Sequence, residues 1–226
     1  RLTVFDDSGL SSSETIFIGI DRTGPTMNSV SVGNGGTWQS TTSVSISGIL
    51  DAANDGAGSG VDVVELQIDG GTWSTITTNT HTVTLSEGNH SISLRATDRV
   101  GNVGNTISET VRVDTSMPEL VGWTVDPLTT NLIGIANISF STYDLLSGID
   151  EDAVSLQYGF DSNGVGLTPD LSGQWLELPG SGLDRGLAMA NWATKSRQYL
   201  MLKATIVDEA GNSETTDPQG FQVMPG

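Results

Sequence analysis

The sequence contains no cysteine, and other residue types with reactive side chains are scarce. Without cysteine the chain has no disulfide, no thiolate nucleophile and no cysteine-ligated zinc site. The only histidines are His81 and His90, and no Gly-x-Ser-x-Gly nucleophile motif is present. The sequence offers no recognisable arrangement for nucleophilic catalysis, and we expect a protein that is not an enzyme.

Basic residues and long apolar segments are also rare. Nine Lys and Arg residues oppose 27 Asp and Glu residues, and the formal net charge is −18. Nucleic-acid binding relies on Lys and Arg, so this charge argues against a nucleic-acid partner. No apolar run approaches the roughly 20 residues of a membrane-spanning helix, so we expect no membrane insertion in this segment. A surface this acidic instead attracts cations.

The abundant residues favour short strands and tight turns. Glycine occurs 28 times, and apolar residues alternate with small polar ones along many short segments. One strand-plus-turn pattern occurs three times, as LTVFDDSGL (2–10), HSISLRATDRVGN (90–102) and LMLKATIVDEAGN (200–212). Each carries an Asp at the start of the turn, which indicates an internal repeat.

Two linkers divide the chain. The segments DRTGP (21–25) and DTSMP (114–118) each place Asp first and Pro fifth, and Pro prevents the preceding strand from continuing. We therefore predict a terminal hairpin of a preceding repeat at 1–21, a first repeat at 22–115 and a second repeat at 116–226. The second repeat carries an insertion near 162–198. Because the chain starts at Arg1 without a signal peptide, we expect a processed chain or a piece of a longer one.

Alternation in the first repeat predicts seven strands. One of them covers 42–51 and ends on Asp51, and the second repeat has a matching strand that ends on Asp144. Ile92, Leu94 and Ala96 are expected on one buried face. Trp73 and Trp175 occupy equivalent positions and are expected to anchor the cores.

Several motifs recur in the same order: the D-x-x-G-N turn, the S-G-[VI] loop, the D-G-G-x-W segment and the D-x-x-x-P linker. Together they resemble the immunoglobulin-like repeats of bacterial and archaeal extracellular surface proteins, with a cadherin-like architecture. The resemblance implies an all-β fold of tandem immunoglobulin-like antiparallel β-sandwiches. It also implies an extracellular or cell-surface location and a structural or adhesive module that acts as a stiff spacer between neighbouring immunoglobulin-like domains.

Acidic residues are expected to gather at one end of each sandwich, where the incoming linker, the loop after the second strand and the last hairpin turn all lie. Several carboxylates close together repel one another, and Ca²⁺ accepts irregular sets of such ligands. Calcium is therefore the candidate cofactor. An alternative is that these residues only cap turns. The candidate ligands are Asp21, Asp51, Asp55, Asp98 and Asn102 at the first junction, and Asp114, Asp144, Asp208 and Asn212 at the second.

Two other functions stay open. The chain could be a carbohydrate-binding accessory module of a secreted hydrolase or protease, since aromatic rings stack on sugars; Trp192, in the insertion, is the candidate ligand-binding residue. It could also be a self-assembling surface-layer or filament subunit whose leading hairpin inserts into a neighbour. The corresponding partners are a glycan and a second copy of the chain.

Overall fold

The fold comes from a computed structural model, and the structure describes residues 2–126, 134–162, 175–189 and 198–224. Within these ranges the secondary structure is almost entirely β, with one four-residue helix, α1 (Ile49–Ala52). No helix in the described ranges has the length and apolar character needed to cross a membrane. The predicted all-β, immunoglobulin-like fold class is confirmed, as the sheets below show.

The leading residues form a two-stranded hairpin. Strands β1 (Leu2–Phe5) and β2 (Ser11–Glu14) pair antiparallel, with Leu2 opposite Glu14. The turn between them is closed by the backbone of Asp6, whose amide donates to the carbonyl of Leu10. Gly9 has φ of 80°, the left-handed region that favours glycine.

The first repeat contributes two main sheets. A three-stranded sheet has the order β10-β6-β4, a five-stranded sheet has the order β5-β12-β11-β8-β9, and β3 pairs with β7. The pairing of β5 with β12 is parallel. The strands are β3 (Thr26–Met27), β4 (Ser31–Val32), β5 (Trp38–Gln39), β6 (Ser43–Ser47), β7 (Ala53–Asn54), β8 (Val61–Ile68), β9 (Ser74–Ile76), β10 (Thr80–Thr84), β11 (Gly88–Asp98) and β12 (Val103–Val113).

The second repeat has sheets in a corresponding order. A three-stranded sheet runs β13-β14-β17, and a second sheet runs β16-β15-β18-β19, with β20 also paired to β18. The strands are β13 (Glu119–Asp126), β14 (Gly134–Tyr143), β15 (Ser155–Asp161), β16 (Leu176–Glu177), β17 (Asp184–Met189), β18 (Tyr199–Val207), β19 (Ser213–Thr215) and β20 (Gln219–Gln222). A three-stranded sheet opposite a larger antiparallel sheet is the arrangement of immunoglobulin-like sandwiches.

Alternation along the strands produces the buried faces. Ile92, Leu94 and Ala96 of β11 are all buried, as the sequence predicted. In the second repeat, one core contains buried residues from both sheets: β14 and β17 supply some, and β15 and β18 supply others. The members of that core from these strands are Ala136, Ile138, Phe140, Leu156, Leu187, Leu200, Leu202, Ala204 and Ile206. Burial of these side chains is the main stabilising contribution.

The chain divides into two compact units. One comprises 1–31, 46–81 and 91–109; the other comprises 32–45, 82–90 and 110–226. This division runs through the first repeat, so the boundaries at 21/22 and 115/116 stay a prediction.

The strand predicted at 42–51 is wrong in its second half. Strand β6 ends at Ser47, Gly48 adopts φ of 79°, and α1 follows. Asn79 stabilises this helical turn, because its Oδ1 accepts hydrogen bonds from the amides of Leu50 (2.9 Å) and Asp51 (3.2 Å). The apolar spacing changes from two to three at Ile49, which was the signal in the sequence that the strand had ended.

Candidate metal centres

Two groups of three aspartates lie in corresponding places of the two repeats. In each group, three carboxylate oxygens, one from each residue, lie within 4.8 Å of one another. The first cluster is Asp21, Asp55 and Asp98; the second cluster is Asp114, Asp144 and Asp208. Each combines a linker residue, a loop residue and a turn residue that are far apart in sequence.

The linker aspartates, Asp21 and Asp114, each bind backbone amides of two segments. Asp21 accepts hydrogen bonds from the amides of Thr23 (3.1 Å) and Ser59 (2.7 Å). Asp114 accepts them from Ser116 (3.0 Å) and Ser147 (2.9 Å). The two amides from the repeat itself belong to the serines of the S-G-[VI] loop. These bonds tie the linker to that loop in both repeats.

The turn aspartates, Asp98 and Asp208, have matching partners. Asp98 Oδ1 accepts bonds from the amides of Val100 (3.0 Å) and Asn102 (2.8 Å). Asp208 Oδ1 accepts them from Ala210 (2.9 Å) and Asn212 (2.8 Å). Both turn aspartates are 1% exposed. Such side chain-to-backbone bonds are the turn-capping role that the sequence suggested.

Asn102 and Asn212 orient the turn aspartates. Each donates its side-chain Nδ2 to the Oδ2 of its own turn aspartate at 2.7 Å. Asn212 Nδ2 also donates to the carbonyl of Asp114 at 2.9 Å, which links the turn to the linker directly. In this arrangement the side-chain nitrogens of both asparagines bond to the turn aspartates and orient their carboxylates, and the predicted ligand role of the two asparagines stays a prediction.

The loop aspartates, Asp55 and Asp144, accept bonds from the glycine that follows each serine. Asp55 Oδ2 accepts from the amide of Gly60 (2.6 Å), and Asp144 Oδ1 accepts from the amide of Gly148 (2.8 Å). At Gly58 the backbone approaches the first cluster so closely that an added Cβ would lie 2.7 Å from Asp21 Oδ2. Glycine at this position therefore leaves room for the carboxylates.

Asp51 lies apart from the first cluster. It belongs to α1, and its Oδ2 accepts a hydrogen bond from Asn79 Nδ2 at 2.6 Å. The structure thus brings together Asp21, Asp55 and Asp98 but leaves Asp51 in a separate contact. Asp144 corresponds to Asp55 rather than to Asp51, since both precede the S-G loop and bond to its glycine.

The clusters concentrate negative charge. Among the described residues, none of the six aspartates forms a salt bridge with a Lys or Arg. Oxygens bound to one Ca²⁺ lie about 2.3–2.6 Å from the ion, so two of them lie at most about 5 Å apart. The 4.8 Å limit on the oxygen separations fits that range. Ca²⁺ binds carboxylate and carbonyl oxygens without a strict geometry, so these clusters suit it chemically.

Glu87 makes a contact with the second linker that was not expected from the sequence. Its Oε1 accepts hydrogen bonds from the hydroxyl and amide of Thr115, the latter at 3.1 Å, and from Ser116 Oγ at 3.1 Å. It therefore holds the second linker at the residues that follow Asp114. The motif order gave no signal for this contact, because it depends on the turn before β11.

Hydrogen bonds lower the pKa of two carboxyls beside the linkers. The Thr115 hydroxyl is the main cause for Glu87, and the Ser59 amide is the main cause for Asp21. A depressed pKa in the folded state contributes stability above the unfolded-state pKa, and that stability is lost as pH falls through the folded-state pKa.

We therefore expect acid to break the contact between Glu87 and the second linker only below the ordinary glutamate range. In an NMR titration, the Thr115 amide shift should follow Glu87 with a midpoint below 4.5, the ordinary value for this group. Thr115→Val removes the hydroxyl donor and should move the midpoint upward. A midpoint at or above the ordinary value in the unsubstituted protein would contradict the assigned contact.

The two repeat tryptophans are not core anchors. Trp73 and Trp175 are half-buried, and a cation lies over each ring: Arg95 at 4.1 Å from the Trp73 ring centre and Lys203 at 4.6 Å from that of Trp175. Arg95 is also held by Glu65, with Nε 2.8 Å from Oε2. Each tryptophan therefore packs on the outer face of its sheet in a cation–π contact.

Trp192, the candidate glycan-binding residue, lies outside the described residues. The same holds for residues 163–174 and 190–197 of the predicted insertion. Its described part includes β16, β17 and a buried arginine, Arg185. The Arg185 guanidinium donates to the carbonyls of Leu178 (2.8 Å) and Val154 (2.6 Å), and burial lowers its pKa.

No family model matches the chain, and no curated protein matches it. Among solved structures, the FN1–FN3 domains of chicken CNTN1 are 11% identical, with 98% of this chain and 76% of that chain covered and a TM-score of 0.35. The fibronectin(III)-like modules of Clostridium thermocellum CbhA are 16% identical, with 87% and 95% covered and a TM-score of 0.39. With scores this low, the fold assignment rests on the sheets and core described above.

Proposed function

We propose that this chain is a non-enzymatic spacer segment of a secreted or cell-surface protein, and that each three-aspartate cluster binds one Ca²⁺ that fixes a linker to the repeat after it. The observation that carries the proposal is the recurrence of the same trio in both repeats. In each repeat, the linker, the loop and the turn supply one carboxylate each. The linker and turn aspartates also cap their own local turns, but turn capping does not require carboxylates from three separate segments to converge.

The hydrogen bonds around the clusters support a pre-organised site. The backbone amides and the two asparagines orient the carboxylates before any ion binds, so less ordering is required on binding. The fully buried Asp114 side chain joins the linker, the loop amide and the cluster. An ion held by all three carboxylates would limit rotation of the linker relative to its repeat, which is the property that a spacer requires.

Support for the spacer role over the two alternatives comes from the linkers. A glycan-binding module requires an exposed aromatic platform, whereas Trp73 and Trp175 each have a cation over the ring. Self-assembly does not require two matching linker contacts. Both linkers have an aspartate, a proline and a loop serine in equivalent roles.

Direct calcium binding tests the proposal. Equilibrium dialysis of the full chain against Ca²⁺ is expected to show two specific sites, with Kd on the order of 10⁻⁴–10⁻³ M, as in other extracellular modules. Asp55→Asn and Asp144→Asn should each remove one site. Mg²⁺ at equal concentration should bind more weakly, because it requires a smaller and more regular ligand shell.

Asp51→Asn is the matched control for Asp55→Asn. The two residues are four positions apart in the sequence, but Asp51 lies in α1 and bonds to Asn79 outside the cluster. The control should retain both sites. The proposed sites would be refuted if the unsubstituted chain bound no more Ca²⁺ than a chain with both Asp55 and Asp144 replaced. They would also be refuted if Asp51→Asn lost as much binding as Asp55→Asn.

A further inference from the structure

The leading residues 2–20 expose apolar side chains in an ordered pattern. Strands β1 and β2 form a regular hairpin, yet Leu2 and Val4 are 64% and 62% exposed. The run TIFIGI (15–20) follows, and Ile18 and Ile20 are 82% and 75% exposed. Contiguous exposed apolar residues of this kind mark an interaction surface.

The turn in this segment is the same turn as in the two repeats. The amide of Asp6 donates to the carbonyl of Leu10, and Asp6 Oδ1 accepts from the amides of Ser8 and Leu10, both at 2.9 Å. Asp98 makes the same set of bonds with Val100 and Asn102. Position for position, residues 2–10 therefore correspond to 94–102.

This correspondence identifies which side chains point inward. Leu2 and Val4 match Leu94 and Ala96, which are 1% and 0% exposed within the first repeat. At the C-terminal end of the segment, matching the linker aspartates Asp21 and Asp114 aligns residues 18–20 with residues 111–113. Ile18 and Ile20 then match Val111 and Val113, which are 3% and 0% exposed. Leu2, Val4, Ile18 and Ile20 thus match core positions of the counterpart, whereas the exposed Phe17 matches the exposed Thr110.

We infer that residues 2–20 are the last two strands of a further immunoglobulin-like sandwich, and that their apolar face docks on the earlier strands of that sandwich, carried in the same polypeptide. In the first repeat the strands that precede β11 belong to the same polypeptide, with only Leu85–Glu87 between β10 and β11. The occupant is therefore a sheet pair of the β3–β10 type. The inference is independent of calcium and goes beyond the proposed spacer function.

A fusion tests this within the chain. Residues 22–93, which hold β3–β10 and the start of β11, are placed directly before Leu2 of the full chain. Ser93 then precedes Leu2 as it precedes Leu94 in the first repeat. Ser12→Gly is included, because Ser12 matches Gly104, where the backbone lies against Pro25. We expect the amides of residues 2–5 and 16–20 to exchange with solvent at least about a thousandfold more slowly than in the unfused chain.

Two substitutions in the fusion separate docking from general effects. Ile18→Asp places a charge at an inward position and should remove the protection. Phe17→Asp changes the residue next to Ile18. Because Phe17 matches the exposed Thr110, this substitution should leave the protection unchanged. In the unfused chain both variants should behave alike. Equal effects of the two in the fusion would overturn the inference.

A second chimera keeps the inference testable if the fusion does not fold. Residues 15–20 replace 108–113 in the full chain, so that Ile18 and Ile20 take the places of Val111 and Val113. This chimera should unfold cooperatively with an unchanged denaturant m-value, whereas the same chimera with Ile18→Asp should not. If the chimera that lacks the Ile18→Asp substitution does not fold cooperatively, the assignment of inward positions is overturned. Concentration-dependent dimerisation of the unsubstituted chain through residues 2–20 would overturn the same-polypeptide arrangement.

Discussion

Chelation of calcium is expected to lower the melting temperature of each repeat by roughly 5–10 °C. At tenfold excess over Kd, one bound ion adds about 1.4 kcal/mol to the free energy of unfolding. For a domain of this size, 1 kcal/mol shifts the melting temperature by about 4–8 °C. Differential scanning calorimetry with and without Ca²⁺ measures the shift, and re-addition of Ca²⁺ should restore the original transitions.

Three aspartates in matching turns make this experiment selective. Asp98→Asn and Asp208→Asn should each abolish the calcium response of one repeat. Asp6→Asn should abolish neither, because Asp6 has the same turn bonds but belongs to neither of the two three-aspartate clusters. A calcium response that survives Asp98→Asn and Asp208→Asn together would show that the ion binds elsewhere. An equal loss with Asp6→Asn would indicate an effect of turn stability.

The turns and linkers could be predicted from the sequence because local chemistry determines them. A D-x-x-G-N turn needs a side-chain acceptor at Asp98 and a left-handed glycine at Gly101, which has φ of 91°. Both residue types can be read directly from the sequence. The convergence of linker, loop and turn was then expected from the fold class, and all six aspartates of the two clusters were among the predicted candidates.

Asp51 shows where the alignment failed. Equating Asp51 with Asp144 assumed that both strands end at an aspartate, whereas the first repeat inserts α1 and β7 before its loop. Asp55, which was also among the candidates, is the residue that corresponds to Asp144: it precedes the loop serine Ser59 by four positions, and Asp144 precedes Ser147 by three. The helical turn itself depends on Asn79, a contact across 28 residues that no local pattern encodes.

The tryptophans could not be placed from the sequence for a related reason. Trp73 lies just before β9, and its environment depends on which residue of β11 lies nearby. That residue is Arg95, which is opposite Glu65 in the register of β11 with β8. Register is set by whole-strand pairing, so an outward cation–π contact and an inward anchor look the same in a short motif.

Gly104→Ala is expected to destabilise the first repeat by about 1–3 kcal/mol or more, which is the range for overpacking a filled site. An added Cβ would overlap the carbonyl oxygen of Pro25, and one at Gly24 would overlap the backbone of Val103. Backbone groups cannot move aside as flexible side chains do. The neighbouring bonds between Asn105 and Met27, at 2.8 Å and 3.1 Å, hold the two segments in register. Urea unfolding measures the loss.

Gly19→Ala is the matched control for this contact. Gly19 lies just before the linker, has no left-handed φ, and an added Cβ there meets nothing within 4 Å. We expect it to change the free energy of unfolding by no more than about 0.5 kcal/mol. Because the Gly24–Gly104 approach fixes the chain just after Asp21, Gly104→Ala should also weaken calcium binding at the first cluster and leave the second unchanged. Equal stability of the Gly104→Ala and Gly19→Ala variants would mean that the linker does not lie against β12.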